Sequence, residues 1–370
     1  MIRLSRYLLC LSLFWFAGCA NQPRSGSPAR FDPPSRVTAG TTQPESRSTI
    51  ALLNNEAALL LPLAQSELTR HFLAAVSALP QIAPRTAYIN EVSREYFSPA
   101  ARAALPEARR TQLSEVQFDE YRYYYTKYGS PLAYLRALEF AADEKFNNVA
   151  AKRILDFGYG SIGHLRLLAS LGANVTGVDP DSYLAALYSQ ASDQGTVALA
   201  AVNGAWRRGR GSITLAQGFW PKDAKIVEQV GRGYDLIISK NTLKRGYIKP
   251  ERKVEDKRQL ITLGVSDQVF LTAVFNTLVP GGKLVIYNLY PKPAKPTEKY
   301  KPMADGRSPF SREQYEKAGL KVVMLDAEDH TMVRKMGHLL KWDQNQKGET
   351  IDDLEHNLFA LVTVVVRPVR

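Results

Sequence analysis

Cysteine is almost absent from the 370-residue chain: only Cys10 and Cys19 occur, both within the first 19 positions. Beyond them there is no thiol for a disulfide, a thiolate metal site or a cysteine nucleophile. The five histidines, His71, His164, His330, His338 and His356, show no metal-pair spacing, and no metal is expected. Long apolar runs are lacking too, and the stretch from Tyr7 to Phe16 is too short to span a bilayer as a helix. No internal repeat is found. Acidic residues are in deficit, 36 against 48 Lys and Arg, and the net charge of +12 favours anionic partners without choosing among lipid, nucleic acid and acidic metabolites. What remains is 45% hydrophobic, enough to bury one or two ordinary domains.

The few apolar residues at the start have a use. Arg3 and Arg6 precede the apolar run, as in an export signal, and the run ends in Phe16-Ala17-Gly18-Cys19. That ending resembles the lipobox of bacterial lipoproteins, with Phe16 where Leu is usual. The resemblance implies a signal peptide over 1–18 and a lipidated Cys19 that attaches the chain to a membrane. Ala20, in place of Asp, favours an outer membrane, with the protein facing the periplasm of the cell envelope. An uncleaved N-terminal anchor is the alternative. Removing Arg3 and Arg6 leaves +10, so the basic character belongs to the body of the protein.

Residues 19–50 are rich in Pro, Ser, Thr and Gly and read as a disordered tether. From 51 to 129 helical spacing dominates, with an interruption near Pro62, and a second helical piece over 114–128 carries Tyr121, Tyr123, Tyr124, Tyr125 and Tyr128. This tyrosine cluster suits either a lid or interdomain packing. Ser130-Pro131 is an N-cap and first-turn pair that opens a helix running to about Lys145. From about 150, short strand-like runs alternate with helical ones, the texture of a doubly wound, mostly parallel α/β sheet. Seven strands are expected, at 153–157, 174–178, 212–216, 234–239, 283–287, 321–325 and 359–366. Ser311 to Gln314 is a capping box, and Gly319 closes the short helix it opens.

The chemistry concentrates in Asp156-Phe157-Gly158-Tyr159-Gly160-Ser161-Ile162-Gly163 and, one helix later, Val178-Asp179-Pro180. A strand that turns through glycines into a helix brings backbone N–H groups against a ligand, and an acid ending the next strand can accept from ribose hydroxyls. Gly158, Gly160 and Gly163 also satisfy the dinucleotide fingerprint, so a nicotinamide or flavin enzyme is weighed as well. Three further features point elsewhere: Asp156 two residues before the first glycine, the strand Tyr234 to Ser239, and Leu278-Val279-Pro280-Gly281-Gly282-Lys283-Leu284. Together these resemble the class I S-adenosylmethionine-dependent methyltransferases over roughly 130–370. The resemblance implies a Rossmann-like methyltransferase fold. Its cofactor, S-adenosylmethionine, would be held by Asp156, Gly158, Gly160, Gly163, Asp179, Pro180, Gln217 and Ser239. The family's third glycine is here Ile162, displaced to Gly163, and Gln217 stands where many relatives carry an acid near the adenine. His164 reads as a cofactor neighbour or as a neutral helix residue.

On the substrate side, Lys240 and Asn241 follow the fourth of these strands, and Tyr287 and Asn288 end the fifth; these four are the catalytic candidates. The motif that marks amine methylation of DNA bases is missing. Eight basic residues lie between Lys240 and Arg258 against three acidic ones, matching either an anionic small or lipid-like substrate or a solvated loop. Aromatics are too sparse there for nucleic acid. The expected function is methyl transfer to an O or N nucleophile, and the alternative is a catalytically inactive envelope lipoprotein that uses the fold as a binding module.

Overall fold

The computed structural model describes residues 48–200, 210–345 and 347–369. The signal peptide expected over 1–18, the lipidation expected at Cys19 and all but the last residues of the tether fall outside them. The first helix, Thr49–Leu60, ends in a tight turn at Leu61–Leu63 that holds Pro62, and Glu67–Ala74 follows behind Ser66, whose hydroxyl accepts from the Thr69 N–H. The next stretch departs from the helical expectation. β1 (Arg85–Ile89), β2 (Tyr96–Phe97) and β3 (Ser114–Phe118) form an antiparallel sheet in the order β2-β1-β3. Each strand is at most five residues long and flanked by prolines or loops, so its period-2 pattern is overwhelmed by the helical texture around it. Only Glu120–Tyr125 of the expected helix at 114–128 is helical, capped by Asp119.

The main sheet has β4 (Arg153–Phe157), β5 (Asn174–Asp179), β6 (Gly195–Val197), β7 (Gly211–Gln217), β8 (Tyr234–Lys240), β9 (Leu278–Tyr290), β10 (Lys321–Glu328) and β11 (Phe359–Val366). Their order is β10-β11-β9-β8-β4-β5-β7-β6. β4 pairs in parallel with both β5 and β8, β5 with β7, and β8 with β9; β11 runs antiparallel between β9 and β10. This is a doubly wound α/β fold. All seven expected strands form, and β6 is an eighth, a short antiparallel cover on the β7 edge.

Four of the five residues in β4 are buried, which is the near-continuous burial of a parallel strand covered on both faces. Alternate residues face opposite layers. Ile154, Leu236, Val285 and Tyr287 pack with the helices Leu135–Ala141, Gly163–Ser170 and His330–Leu339, whereas Leu155, Ile237, Leu284 and Ile286 pack with Phe270 and Leu271 of Asp267–Thr277.

Buried ion pairs fasten the N-terminal region to this sheet. Arg85 forms two hydrogen bonds with Asp193, 2.7 and 2.9 Å, while the Tyr123 hydroxyl donates to Asp193 and Arg166 donates to the Tyr123 hydroxyl. Arg136 grips Asp329 with two bonds of 2.9 Å, and the Tyr287 hydroxyl donates to the same carboxylate. Asp329 and its partner Arg136 lie 193 residues apart, out of reach of any local pattern. Removing one member of such a pair leaves an uncompensated buried charge. Asp193→Ala should therefore cost about 3–5 kcal/mol in urea unfolding, and a cost below about 1 kcal/mol, the level of an exposed pair, would show that the contact is not a structural tie.

Candidate functional site

Parallel alignment places the carboxyl ends of β4, β5, β7, β8 and β9 along one edge, and the strand order reverses at β4. The chain leaves β4 through Gly158 and Gly160, both left-handed at φ +78° and +59°, and enters the helix Gly163–Ser170. Both turns need glycine for conformation. They also need it for space: a Cβ on Gly158 would run into the Thr242 side chain, and one on Gly160 would stand 3.1 Å from the Tyr128 ring. Gly163 opens the helix tightly against Pro131.

Asp179 ends β5 beside this turn. Its Oδ1 accepts from the Asp181 N–H at 2.9 Å, leaving Oδ2 to accept from a ligand. Burial lifts its carboxyl to about 7, with the nearby Asp181 charge adding to the shift. Gln217 lies opposite Asp179 in the pairing of β5 with β7, and Pro180 is exposed next to them. The structure thus brings Gly158, Gly160, Asp179, Pro180 and Gln217 to one place, where a strand end, a glycine turn and a carboxylate suit a nucleoside.

Asp156 is turned away from this mouth. It bonds His164 Nε2 at 2.5 Å, with both side chains buried, and the Tyr134 ring stacks on the imidazole at 3.5 Å between centroids. His164 is therefore a partner of Asp156, and burial lowers its pKa. Lys240 reaches the same cluster. Its Nζ is 5.4 Å from the centre of the Tyr134 ring, and burial brings the amine down to about 8, opposed by the Asp156 charge.

The remaining candidates hold the fold. Ser239 Oγ accepts from the Leu243 N–H at 3.1 Å, and Asn241, at φ +63°, accepts the Leu289 N–H at 2.7 Å. Asn288 donates to the carbonyls of Leu243 and Gly306, and the Tyr287 hydroxyl belongs to Asp329. These side chains were read as cofactor or catalytic groups because they stand at the carboxyl edge. In the structure Ser239, Asn241 and Asn288 stitch the β8 and β9 ends to the loops beyond, with Asn288 Oδ1 left unpartnered, and Tyr287 is tied to Asp329.

Thr126, at φ +52°, and Gly129, at φ +87°, bound a short strap whose Tyr128 covers Gly160. The Tyr128 hydroxyl and Lys127 Nζ both donate to Asp181 Oδ2, at 3.1 and 2.7 Å, and Thr126 Oγ1 donates to the Gly160 carbonyl at 3.0 Å. Of the tyrosine cluster, Tyr123, Tyr124 and Tyr125 are packed inside and Tyr128 alone lies over the turn. Both readings of the tyrosine cluster, lid and packing, thus have residues that match them: Tyr128 covers the turn, and Tyr123, Tyr124 and Tyr125 are packed. Clefts of about 250 and 540 Å³ lie elsewhere, the first at the starts of β4, β5 and β7 and the second beside Gln65 and Glu139.

No protein-family model and no curated protein matches the chain. Among solved structures it is similar to the cyclopropane synthase MmaA2 from Mycobacterium tuberculosis, at 15% identity over 62% of this chain and 81% of that one, with a TM-score of 0.37. It is also similar to the [4+2]-cyclase SpnF, at 14% identity over 82% and 94%, TM-score 0.36. A third is phospholethanolamine N-methyltransferase 2 from Haemonchus contortus, solved with S-adenosylhomocysteine, at 17% identity over 70% and 63%, TM-score 0.35. Likenesses of this size carry no argument about activity, and the functional reading rests on the strand order and the glycine turn.

Proposed function

We propose that the chain binds S-adenosylmethionine at the β4 turn and transfers its methyl group to an O or N nucleophile of a small or lipid-like, anionic substrate. The observation that carries this is the reversal of strand order at β4, which sets Gly158 and Gly160 against the available Oδ2 of Asp179. The groups present fit the cofactor once Tyr128 swings away from Gly160. Backbone at Gly158 and Gly160 would line its methionine part, Asp179 Oδ2 would accept from the ribose, and the Gln217 carbonyl would accept from the adenine amine. The cofactor supplies a methyl group already activated on a sulfonium, so the protein has only to position the acceptor and remove one proton. Among the catalytic candidates, Lys240 carries a titratable group that no hydrogen bond among the described residues holds in the fold, whereas Asn288 is fixed through its amide N–H groups with only its buried Oδ1 unpartnered. With its amine near 8, a neutral fraction at physiological pH can accept that proton at Nζ.

A second reading, an inactive binding module, is favoured by a specific fact: the Thr242 side chain packs directly against Gly158 and the Tyr128 ring against Gly160. Calorimetric titration with S-adenosylmethionine and S-adenosylhomocysteine separates the two. Binding is expected to tighten roughly tenfold between pH 6 and 8, because an ionised Asp179 accepts from the ribose and the ligand-free carboxyl titrates near 7. Asp179→Asn should flatten that profile. Heat uptake or release that is absent with either ligand at millimolar concentration would leave the inactive module standing.

The strap gives its own test. Tyr128→Ala removes the ring that must be displaced, so the affinity for S-adenosylmethionine should rise about tenfold, the equivalent of the charged hydrogen bond to Asp181 that no longer has to break. An unchanged or weakened affinity would mean that Tyr128 is no obstacle.

We also propose that Cys19 is lipidated and holds the protein at the cell envelope, at an outer membrane facing the periplasm. The sequence Phe16-Ala17-Gly18-Cys19 supports this. Metabolic labelling with a radioactive fatty acid should mark the wild type and not Cys19→Ala; equal labelling of both would contradict it.

A further inference from the structure

The loops after β8 and β9 carry a charge that neither the fold nor the cofactor site uses up. Residues 244–258 and 292–307 hold twelve Lys and Arg against five Asp and Glu. Part of this charge is directed inward. Lys244 is buried and donates to the Leu289 carbonyl at 2.6 Å, and Lys249 is held by Asp267 and by the Pro309 carbonyl. A second part ties the two loops together. Arg252 donates to the carbonyls of Pro296 and Glu298 at 2.9 and 3.1 Å, and Lys299 pairs with Glu255 at 2.6 Å. The loops thus form one lobe standing on the carboxyl edge of the sheet.

A third part is left over. Lys257, Lys292 and Lys295 are exposed, and among the described residues none has an acidic group within ion-pairing distance. Lys292 and Lys295 each precede a proline, which restricts the backbone and keeps the side chains displayed at little further entropic cost.

We infer that this lobe is a docking surface for an anionic lipid bilayer. Lysines spread over a convex lobe suit a fluid layer of negative headgroups, because ammonium groups act as point charges and need no shaped bidentate partner. A nucleic-acid strand would need exposed rings to stack on, and the two tyrosines of the lobe are half-buried and already hold a cation: Arg252 lies 5.1 Å from the centre of Tyr300 and Lys244 5.0 Å from that of Tyr247. The chain length agrees. Ser48 stands 29 residues after Cys19, which covalent geometry limits to about 100 Å, so a lipid on Cys19 keeps the lobe within reach of the surface. The first helix meets the same edge of the sheet, where Glu56 accepts from the Ser130 hydroxyl at 2.6 Å beside the strap. Docked this way, the protein presents its glycine turn toward the headgroups. In combination with the proposed methyl transfer, that favours a lipid headgroup as the acceptor. The docking itself does not depend on methyl transfer.

The test uses the full-length chain reconstituted in vesicles, with an environment-sensitive fluorescent amino acid at Thr297 or, as reference, at Asn148 on the far side. Vesicles of phosphatidylcholine alone are compared with vesicles containing 30% phosphatidylglycerol (roughly the charge of an anionic leaflet). A lipid on Cys19 would insert equally into both, so failure of the anchor and failure of the lobe are distinguishable. A blue shift is expected at Thr297 on the anionic vesicles only, lost in 1 M salt and in the triple variant Lys257→Gln, Lys292→Gln, Lys295→Gln. Each lysine removed should weaken the docked state roughly fivefold. A charge-matched control, Arg232→Gln, Lys317→Gln, Lys321→Gln, should keep the shift. Three results would each overturn the inference: the same emission on both vesicle types, loss of the shift in the control variant, or a Thr297 shift produced by duplex DNA and not by vesicles.

Discussion

Everything functional in this protein depends on one constraint, that parallel strands must all finish at the same edge. A parallel pair cannot be joined by a hairpin, so each return crosses a face of the sheet, and the two faces are filled as the crossovers run first to one side of β4 and then to the other. At β4 the direction changes, and the loops on its two sides diverge instead of packing together. The glycine turn lies at that divergence. With the strand order fixed, Gly158, Asp179 and Gln217 converge through the backbone alone.

The same edge is also where the chain invests its polar bonds. Asn241, Asn288 and Ser239 bridge β8, β9 and their loops through backbone groups, which fixes the loops at the cost of chemically available side chains. Asp156, the acid placed to face a ligand, is paired with His164 in the interior. The outcome is a frame around a small set of uncommitted groups, among them Asp179 Oδ2, the Gln217 amide, the Lys240 amine and the buried Oδ1 atoms of Asp156 and Asn288.

How much of this could be read in advance divides along the range of the interaction. The strand cores and the capping box at Ser311 are local patterns, and they appear where the residues put them, whereas Pro280-Gly281-Gly282 lies within β9 at a break in its register with β8 instead of in a turn before it. The glycine turn and Asp179 were legible as well, because a strand end and a helix start fix both. Partnerships were not legible. Whether Tyr287 faces a ligand or Asp329, or Asn288 an acceptor or the Gly306 carbonyl, depends on segments brought together by the fold and unmarked by spacing. The small sheet of β1, β2 and β3 was illegible for a different reason: its strands are short, and the regular alternation of burial in β1 includes Arg85, a charged residue that hides the apolar period. Charge was legible as a total and illegible as a distribution: of the basic residues between Lys240 and Arg258, Lys244 and Lys249 turned out to be structural.

The strap and the buried pairs differ in strength in a way that bears on access. Breaking Arg85 from Asp193 exposes two desolvated charges to each other's absence, about 3–5 kcal/mol, which the fold cannot spend repeatedly. The strap is held by a half-exposed Lys127 pair worth about 0.2–1 kcal/mol. It is held also by hydrogen bonds from Tyr128 and Thr126, each contributing about 1–2 kcal/mol. Opening it therefore costs roughly 2–5 kcal/mol, and a ligand that requires the open form binds weaker than its contacts allow by a factor of about 30 to several thousand. Thr126 and Gly129, both at positive φ, set the strap off from the packed Tyr123, Tyr124 and Tyr125 on one side and Pro131 on the other. The frame and the cover are thus separate mechanical parts, and the affinity for any occupant of the glycine turn is set by the weaker one.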